Sequence, residues 1–467
     1  MGSKWKQTTL GDLALGFDGA VDGPFGSNLP AAAYTDSGYP IIRGSNLSIG
    51  LDDFKDNDFV FVPEHIFQKL SRSECRAGDI IFTKKGTLGQ TGLISTKHRF
   101  EKYLLSSNQM RLRVDPEKAL PEYVYYCVSS QKAINKIIQD SECTGVPKIN
   151  LAYLKSFPIS LPSLSEQQDI IDILGSLSTK ITLNRQINQT LEQMSQTLFK
   201  SWFVDFDPVI DNALDAGNLI PEALQSRAEL RQKVRNSTDF KPLPAEIRSL
   251  FPSEFEETEL GWVPKGWKEG TLPEIAFINS TSWTNKNQPD YINYVDLSNA
   301  KDGRIYSIEK LSFNDAPSRA RRILKKDDLI FGLVRPANRS FAYVHVDGLT
   351  GSTGFAVIRA QKTIYKNFIY YFVTYDKNIE ELTRIADGGA YPAIKPDDIC
   401  ALPLIIPSIN IIEKFDELTS NFREMMNNSL IQKEYLTNLR DTLLPKLISG
   451  ELSLEDLPDL NTDTEAA

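Results

Sequence analysis

Residues 147–168 read PKINLAYLKSFPISLPSLSEQQ, and residues 392–413 read PAIKPDDICALPLIIPSINIIE. Both phrases hold too many prolines for a helix and too few polar residues for a linker. At a constant offset of 245, Pro147 falls on Pro392, Ile149 on Ile394, Pro158 on Pro403 and Pro162-Ser163 on Pro407-Ser408. The same offset pairs Tyr125-Tyr126 with Tyr370-Tyr371, Val128 with Val373, Leu191 with Leu436 and Leu198 with Leu443. Upstream the register drifts, as unequal loops require. DIIF (Asp79–Phe82) aligns with DLIF (Asp328–Phe331), Ser45-Asn46 with Ser298-Asn299, and WKQTTLGDLA from Trp5 with WKEGTLPEIA from Trp267. The chain is therefore two copies of one unit, about 1–203 and 261–450, joined by an acidic connector.

Each copy has two parts. The first carries short β-rich runs (DFVFV, DIIF and MRLRV; then INYV, DLIF and FAVIRA) separated by Gly, Asn and Asp turns. A helical pattern closes it, PEYVYYCVSSQKAINKIIQD in one copy and KNFIYYFVTYDKNIEELTRI in the other. That order makes each an α+β domain. The second part is a long helix, with a capping box expected at Ser165 and Gln168, and at Asn410 and Glu413.

Apolar residues then recur at steps of three and four: Ile170, Leu174, Leu177, Ile181, Leu191 and Leu198, matched by Phe415, Phe422, Met426, Leu436 and Leu443. Asn184, Asn188 and Ser195 take the remaining seam positions. This is coiled-coil spacing, with polar residues able to set register. A helix of about 38 residues runs ~57 Å, longer than one domain covers, so the two helices are expected to pair. Pro208 is expected to stop the first and Pro445 the second.

Composition narrows the function. With 41% hydrophobic and 24% charged residues in 467, the chain reads as a soluble protein of two or three domains. No apolar run approaches the ~20 residues of a membrane helix, and the first residues lack the apolar core of a signal peptide. Cys75, Cys127, Cys143 and Cys400 form no CxxC pair, which points to reduced thiols in the cytoplasm. The net charge of −9 is concentrated in residues 201–260 (−6) and 396–467 (−9), whereas residues 261–395 carry +5. Total charge thus does not exclude a DNA partner.

Catalytic signatures are absent: no Walker A loop, no HExxH, no GxSxG, and no glycine-rich loop between strand and helix. Asp327-Asp328 reads as a turn rather than a metal site. What remains is a set of polar and basic loops. TKKGTLGQTG (Thr83–Gly92) and SSNQMRLR (Ser106–Arg113) belong to the first copy. GLVRPANRS (Gly332–Ser340), TGSTGFAVIR (Thr350–Arg359) and SRARR (Ser318–Arg322) belong to the second. Lys and Arg beside Asn, Gln, Ser and Thr supply phosphate contacts and base-edge readout. The frame repeats while these loops do not.

The duplicated P-x-I…FPISLPSLSEQ segments each close a variable domain and open a long helix. LFKSWFVDFDPV (Leu198–Val209) and LGWVPKGW (Leu260–Trp267) precede the second copy. Together these resemble the specificity subunit of type I restriction–modification systems. The resemblance implies two target recognition domains (1–150 and 261–395) and two conserved helical spacers (151–203 and 396–450), with a connector at 204–260 and an acidic tail at 451–467. It implies α+β recognition domains separated by a pair of long antiparallel helices. It implies, too, that each domain reads one half of a split, asymmetric sequence in double-stranded DNA. Half-sites read from one face lie ~34–36 Å apart, within reach of a ~57 Å rod.

It further implies docking of two methyltransferase (modification) subunits and of restriction (motor-nuclease) subunits. The resemblance implies that the chain itself performs no chemistry and that S-adenosylmethionine, ATP and Mg²⁺ belong to the partners. Loop chemistry nominates Arg43, Asn46, Lys84, Lys85, Thr87, Asn108 and Gln109 as DNA contacts in the first copy. In the second it nominates Arg319, Arg321, Arg322, Arg335, Asn338 and Arg339. The competing readings are a coiled-coil scaffold without DNA readout, and a specificity module of another bipartite-target restriction–methylation complex.

Overall fold

A computed structural model describes residues 5–52, 54–141 and 146–452. Cys143 and all but two residues of the acidic tail lie outside them. The chain divides into two compact units, residues 1–186 with 429–467, and residues 187–428.

In the first unit a five-stranded antiparallel sheet runs Ala20–Asp22, Gln109–Arg113, Asp79–Thr83, Gln90–Leu93, Ser48–Ile49. A second sheet runs Val60–Val62, Tyr39–Ile42, Tyr103–Leu105, Glu74–Cys75, and its central pair is parallel. The second unit repeats both sheets in the same order, short of the last edge strand of the first. One runs Ala276–Ile278, Phe355–Ala360, Leu329–Gly332, Phe341–Tyr343. The other runs Glu309–Ser312, Tyr291–Val295, Leu349–Ser352, Ala320–Leu324, again with a parallel central pair. DIIF and DLIF read as unbroken apolar runs because each strand is buried on both faces.

The aspartate opening each of those motifs forms the same buried fork. Arg113 donates Nε and Nη2 to the two carboxylate oxygens of Asp79 (2.7 and 2.8 Å), and Arg359 does the same to Asp328 (2.7 and 2.7 Å). Asp79 and Asp328 each also accept a backbone N–H, from Arg76 and Lys325. Neither aspartate side chain has any solvent exposure. Asp328 is therefore an internal strut of its sheet. Each closing helical pattern is two helices: Pro121–Val128 and Gln131–Gln139, then Lys366–Thr374 and Asp376–Ile385.

The duplicated phrase folds alike in both units: a short helix (Leu151–Ser156; Pro396–Cys400), then a short strand. Pro158–Leu161 pairs antiparallel with Lys6–Thr9, and Leu404–Ile406 with Lys268–Gly270. The most similar segments of the two copies, their beginnings and these phrases, are thus bonded to each other within each unit. The helix cap lies two residues earlier than the sequence pattern suggests. Ser163 Oγ accepts the Glu166 N–H, and the Glu166 carboxylate accepts the Ser163 N–H at 2.9 Å, so the box is Ser163–Glu166. The second long helix begins at Ile409, with Ser408 ahead of it in the matching place.

The first long helix spans Leu164–Phe199 and the second Ile409–Ser449. In the first unit Leu444 and Leu447 share a core with Ile170 and Leu174, while Asn184 Nδ2 donates to Gln432 Oε1 at 3.1 Å. That register is antiparallel. In the second unit Phe199 and Phe415 share a core, 6.1 Å between ring centroids. Of the seam residues, Ile170, Leu174, Ile181, Leu191, Phe415, Met426 and Leu436 are buried, as are Asn184, Asn188 and Ser195. Leu177, Leu198, Phe422 and Leu443 are partly buried.

Neither proline stops its helix. The first helix passes into a wider turn at Lys200–Val204, and Pro208 opens the next helix, where a missing N–H is no loss. Pro445 lies inside the second helix, in its last turns, between the buried Leu444 and Leu447. Its ring forfeits one helical hydrogen bond, whose would-be acceptor is the carbonyl of the exposed residue Asp441.

The connector is folded. Helices Asp207–Ala216 and Gln225–Arg235 are joined by a ladder in which Arg227 grips Asp207 (2.8 and 2.7 Å), Arg231 grips Asp211 (2.9 and 2.7 Å), and Arg235 and Arg248 grip Asp215. Hydrogen bonds from Arg235 and Arg248 hold the Asp215 carboxyl below its ordinary pKa. The flanking aromatics Phe199, Trp202, Phe203, Phe206 and Trp267 share one core with Phe415.

Arg359→Met is expected to destabilise the protein by about 3 kcal/mol or more in urea unfolding, because it strands the Asp328 carboxylate. The Asp328→Leu/Arg359→Met double variant is expected to recover most of that loss.

Candidate nucleic-acid interface

In both units the loop after the central strand is tied down by the start of the duplicated phrase. In the first, the Ile149 N–H donates to the Lys84 carbonyl (3.0 Å) and the Gly86 N–H to the Pro147 carbonyl (3.2 Å). In the second, the Ile394 N–H donates to Leu333 (2.9 Å) and the Arg335 N–H to Pro392 (2.7 Å). A third bond matches as well: Lys84 N–H to Asn108 at 2.7 Å, and Leu333 N–H to Gly354 at 2.8 Å. The backbone frame of the loop is the same twice. Its side chains are not.

In the first unit, Arg43, Lys85, Thr87, Asn108 and Gln109 converge on one pocket of about 500 Å³. Tyr34, Gln90, Ser106 and Ser107 complete much of its wall. The carboxamide oxygen of Gln90 accepts the Thr83 hydroxyl at 3.1 Å, and that of Gln109 accepts the Ser106 hydroxyl, which orients both amides. Arg43 donates Nη2 to the Asp58 carbonyl (2.8 Å), while its buried Nε has no partner among the described residues. The pocket combines cations, hydroxyls and amides with an aromatic ring, the donor and acceptor set that meets phosphates and base edges.

Two nominated residues of this copy lie apart from the pocket lining. Asn46 is 1% exposed; its Oδ1 accepts the Arg43 N–H (2.9 Å) and its Nδ2 donates to the Lys55 and Asn57 carbonyls (3.0 and 2.9 Å). Its amide is consumed in shaping its own loop. Lys84 points its ammonium to Asp22 at 3.0 Å. Gln90, Ser106 and Ser107 fall within the polar loops Thr83–Gly92 and Ser106–Arg113, where their chemistry is legible from sequence. Tyr34, outside any basic run, carries no such signal.

In the second unit the arginines divide by partner. Arg319 forks onto Asp296 and the Tyr294 hydroxyl, and the Asp296 hydrogen bond raises its pKa. Arg339 bridges Asp302 and Asp376 at 2.8 and 2.7 Å. Arg322 donates to Ser282, and burial lowers its pKa. Arg321 lies over the Phe313 ring at 4.6 Å. Arg335 and Asn338 are exposed. The basic run at 318–322 is therefore largely occupied by internal contacts. Among the described residues, no three His, Cys, Asp or Glu side chains gather as a metal site.

Residues 3–193 match the family model described as the type I restriction modification DNA specificity domain. The chain is 26% identical to the HindI specificity subunit of Haemophilus influenzae, over 96% of this chain and all of that one. It is 25% identical to the MjaIX specificity subunit of Methanocaldococcus jannaschii, over 81% and 79% of the two. Its fold is similar to the crystal structure of a type I restriction–modification S subunit from M. genitalium, with TM-score 0.52, 15% identity, and 95% and 96% of the chains covered.

Because Asn46 serves its own loop, Asn46→Ala is expected to lower stability by about 1–3 kcal/mol in thermal or urea unfolding, whether or not DNA is present.

Proposed function

We propose that the chain is a specificity subunit of a type I restriction–modification system, the non-catalytic subunit that reads a bipartite, asymmetric DNA target. The domain of residues 1–150 reads one half and that of residues 261–395 the other. One observation carries this reading. Two sheets of matching strand order, with three matching loop-anchoring hydrogen bonds, present unlike side chains in the two units. A scaffold without DNA readout has no use for such a division between constant frame and variable loop.

In the first half the pocket holding Arg43, Lys85, Thr87, Asn108 and Gln109 meets the duplex. Lys85, exposed on the loop, contacts phosphate; Asn108 and Gln109 address base edges. Methyltransferase subunits dock on the paired helices and restriction subunits join that assembly. S-adenosylmethionine, ATP and Mg²⁺ act on those partners, in the cytoplasm. Among the described residues no helix is long and apolar enough to cross a membrane. Ile431 and Tyr435, one turn apart on the second long helix and 60% and 67% exposed, are apolar side chains fit for docking.

The test is co-expression with the cognate modification subunit and genome-wide mapping of methylated adenines. A split motif of two unlike halves is expected; methylation without a bipartite motif would sink the reading. Lys85→Ala is expected to weaken duplex binding equally across sequences and to reduce the salt slope by about 1. An Ile431→Glu/Tyr435→Glu variant is expected to fold, by its unfolding midpoint, yet fail to co-purify with the modification subunit.

A further inference from the structure

The loop frame places Gly86 and Arg335 in the same position, since each donates its N–H to the first proline of its duplicated phrase. The residues before those prolines, at the constant offset, are Val146 and Tyr391. In the second unit Arg335 and Tyr391 form a pair. The Arg335 guanidinium lies over the Tyr391 ring at 4.6 Å, and its Nη2 donates to the Ala390 carbonyl at 2.7 Å. Tyr391 is 70% exposed, and Arg335 has no carboxylate partner among the described residues. The first unit, with Gly86 and Val146, has neither member of the pair.

The turn that carries Arg335 is built to hold it. Arg335 and Arg339 have φ of 49° and 55°, left-handed values that are strained for a non-glycine residue and persist only where the surroundings hold them. Arg339, clamped between Asp302 and Asp376, secures the far end of the turn. A guanidinium has five N–H donors, and here the ring covers a face while one donor is spent on Ala390. The in-plane edge remains for a ligand with two coplanar acceptors.

We propose that Arg335, positioned by Tyr391, reads a guanine in the half-site of the second recognition domain, donating to O6 and N7 in the major groove. This rests on the DNA-reading function proposed above and makes it specific. Phosphate also offers paired acceptors, but it carries no sequence information and is present in both half-sites. A contact built in one unit and missing from the same frame in the other fits a base that differs between the halves.

The experiment uses the chain assembled with its modification subunit. The methylated motif is mapped first, and binding is then titrated against duplexes changed one base pair at a time. Arg335→Ala is expected to lose discrimination at a single G·C pair by about ten- to a hundredfold, leaving the other half of the motif untouched. Tyr391→Ala is expected to lose part of the discrimination at that same pair. Arg335→Lys, which keeps the charge without the fork, is expected to keep the salt slope and lose the base preference. Uniform weakening at every sequence by Arg335→Ala assigns the residue to phosphate and overturns the proposal, as does an unchanged motif. Absence of a bipartite motif in the unaltered complex would instead overturn the functional reading, which separates the two failures.

Discussion

The backbone pairing between the start of each unit and its duplicated phrase is the constraint on which loop, domain and spacer helix all depend. Lys6–Thr9 bonds to Pro158–Leu161, and Lys268–Gly270 to Leu404–Ile406. Just ahead of that strand, the phrase ties down the loop after the central strand through Pro147 and Ile149, or Pro392 and Ile394. Just after it, the first phrase caps the spacer helix through Ser163 and Glu166. One short segment therefore links loop, domain closure and helix start. Strand pairing and loop anchoring use main-chain groups, so they constrain backbone geometry while leaving side chains elsewhere free. Prolines suit the phrase because they preset φ, and Pro158 begins its strand on an edge where no N–H is required.

Charge is partitioned by the same logic. The buried Asp79–Arg113 and Asp328–Arg359 forks stiffen the two sheets, and the Asp207, Asp211 and Asp215 ladder builds the connector from acid that composition alone assigns to a linker. Arginines spent on such partners offer no charge to a ligand. Those facing a carbonyl and a ring, such as Arg335, still do.

Much of this is legible in the sequence. The constant offset exposes the duplication, and the three-and-four spacing picks out a seam whose polar members, Asn184, Asn188 and Ser195, are indeed buried. Five of seven nominated residues in the first copy meet in one pocket, because the ends of the strands Tyr39–Ile42, Asp79–Thr83 and Gln109–Arg113 come together there. The misreadings have physical causes. Asn46 reads like any exposed loop amide until three carbonyl and N–H partners enclose it. The connector ladder has a signal, aspartates and arginines both at steps of four and separated by twenty, yet net charge conceals it. Pro445 reads as a terminator only if helix ends follow local rules, and the burial of Leu444 and Leu447 overrides that rule.

Pattern along the chain suffices for the duplication, the order of strands and helices, and the stripe along which the helices bury. These come from periodicity and from short-range backbone preferences, which are properties of neighbouring residues. Which charges are free and which amides are consumed is settled in three dimensions alone, as is the stacking of Arg335 and Tyr391, 56 positions apart, into one element. Those outcomes depend on which distant backbone group happens to face a side chain, and no spacing rule along the chain encodes that.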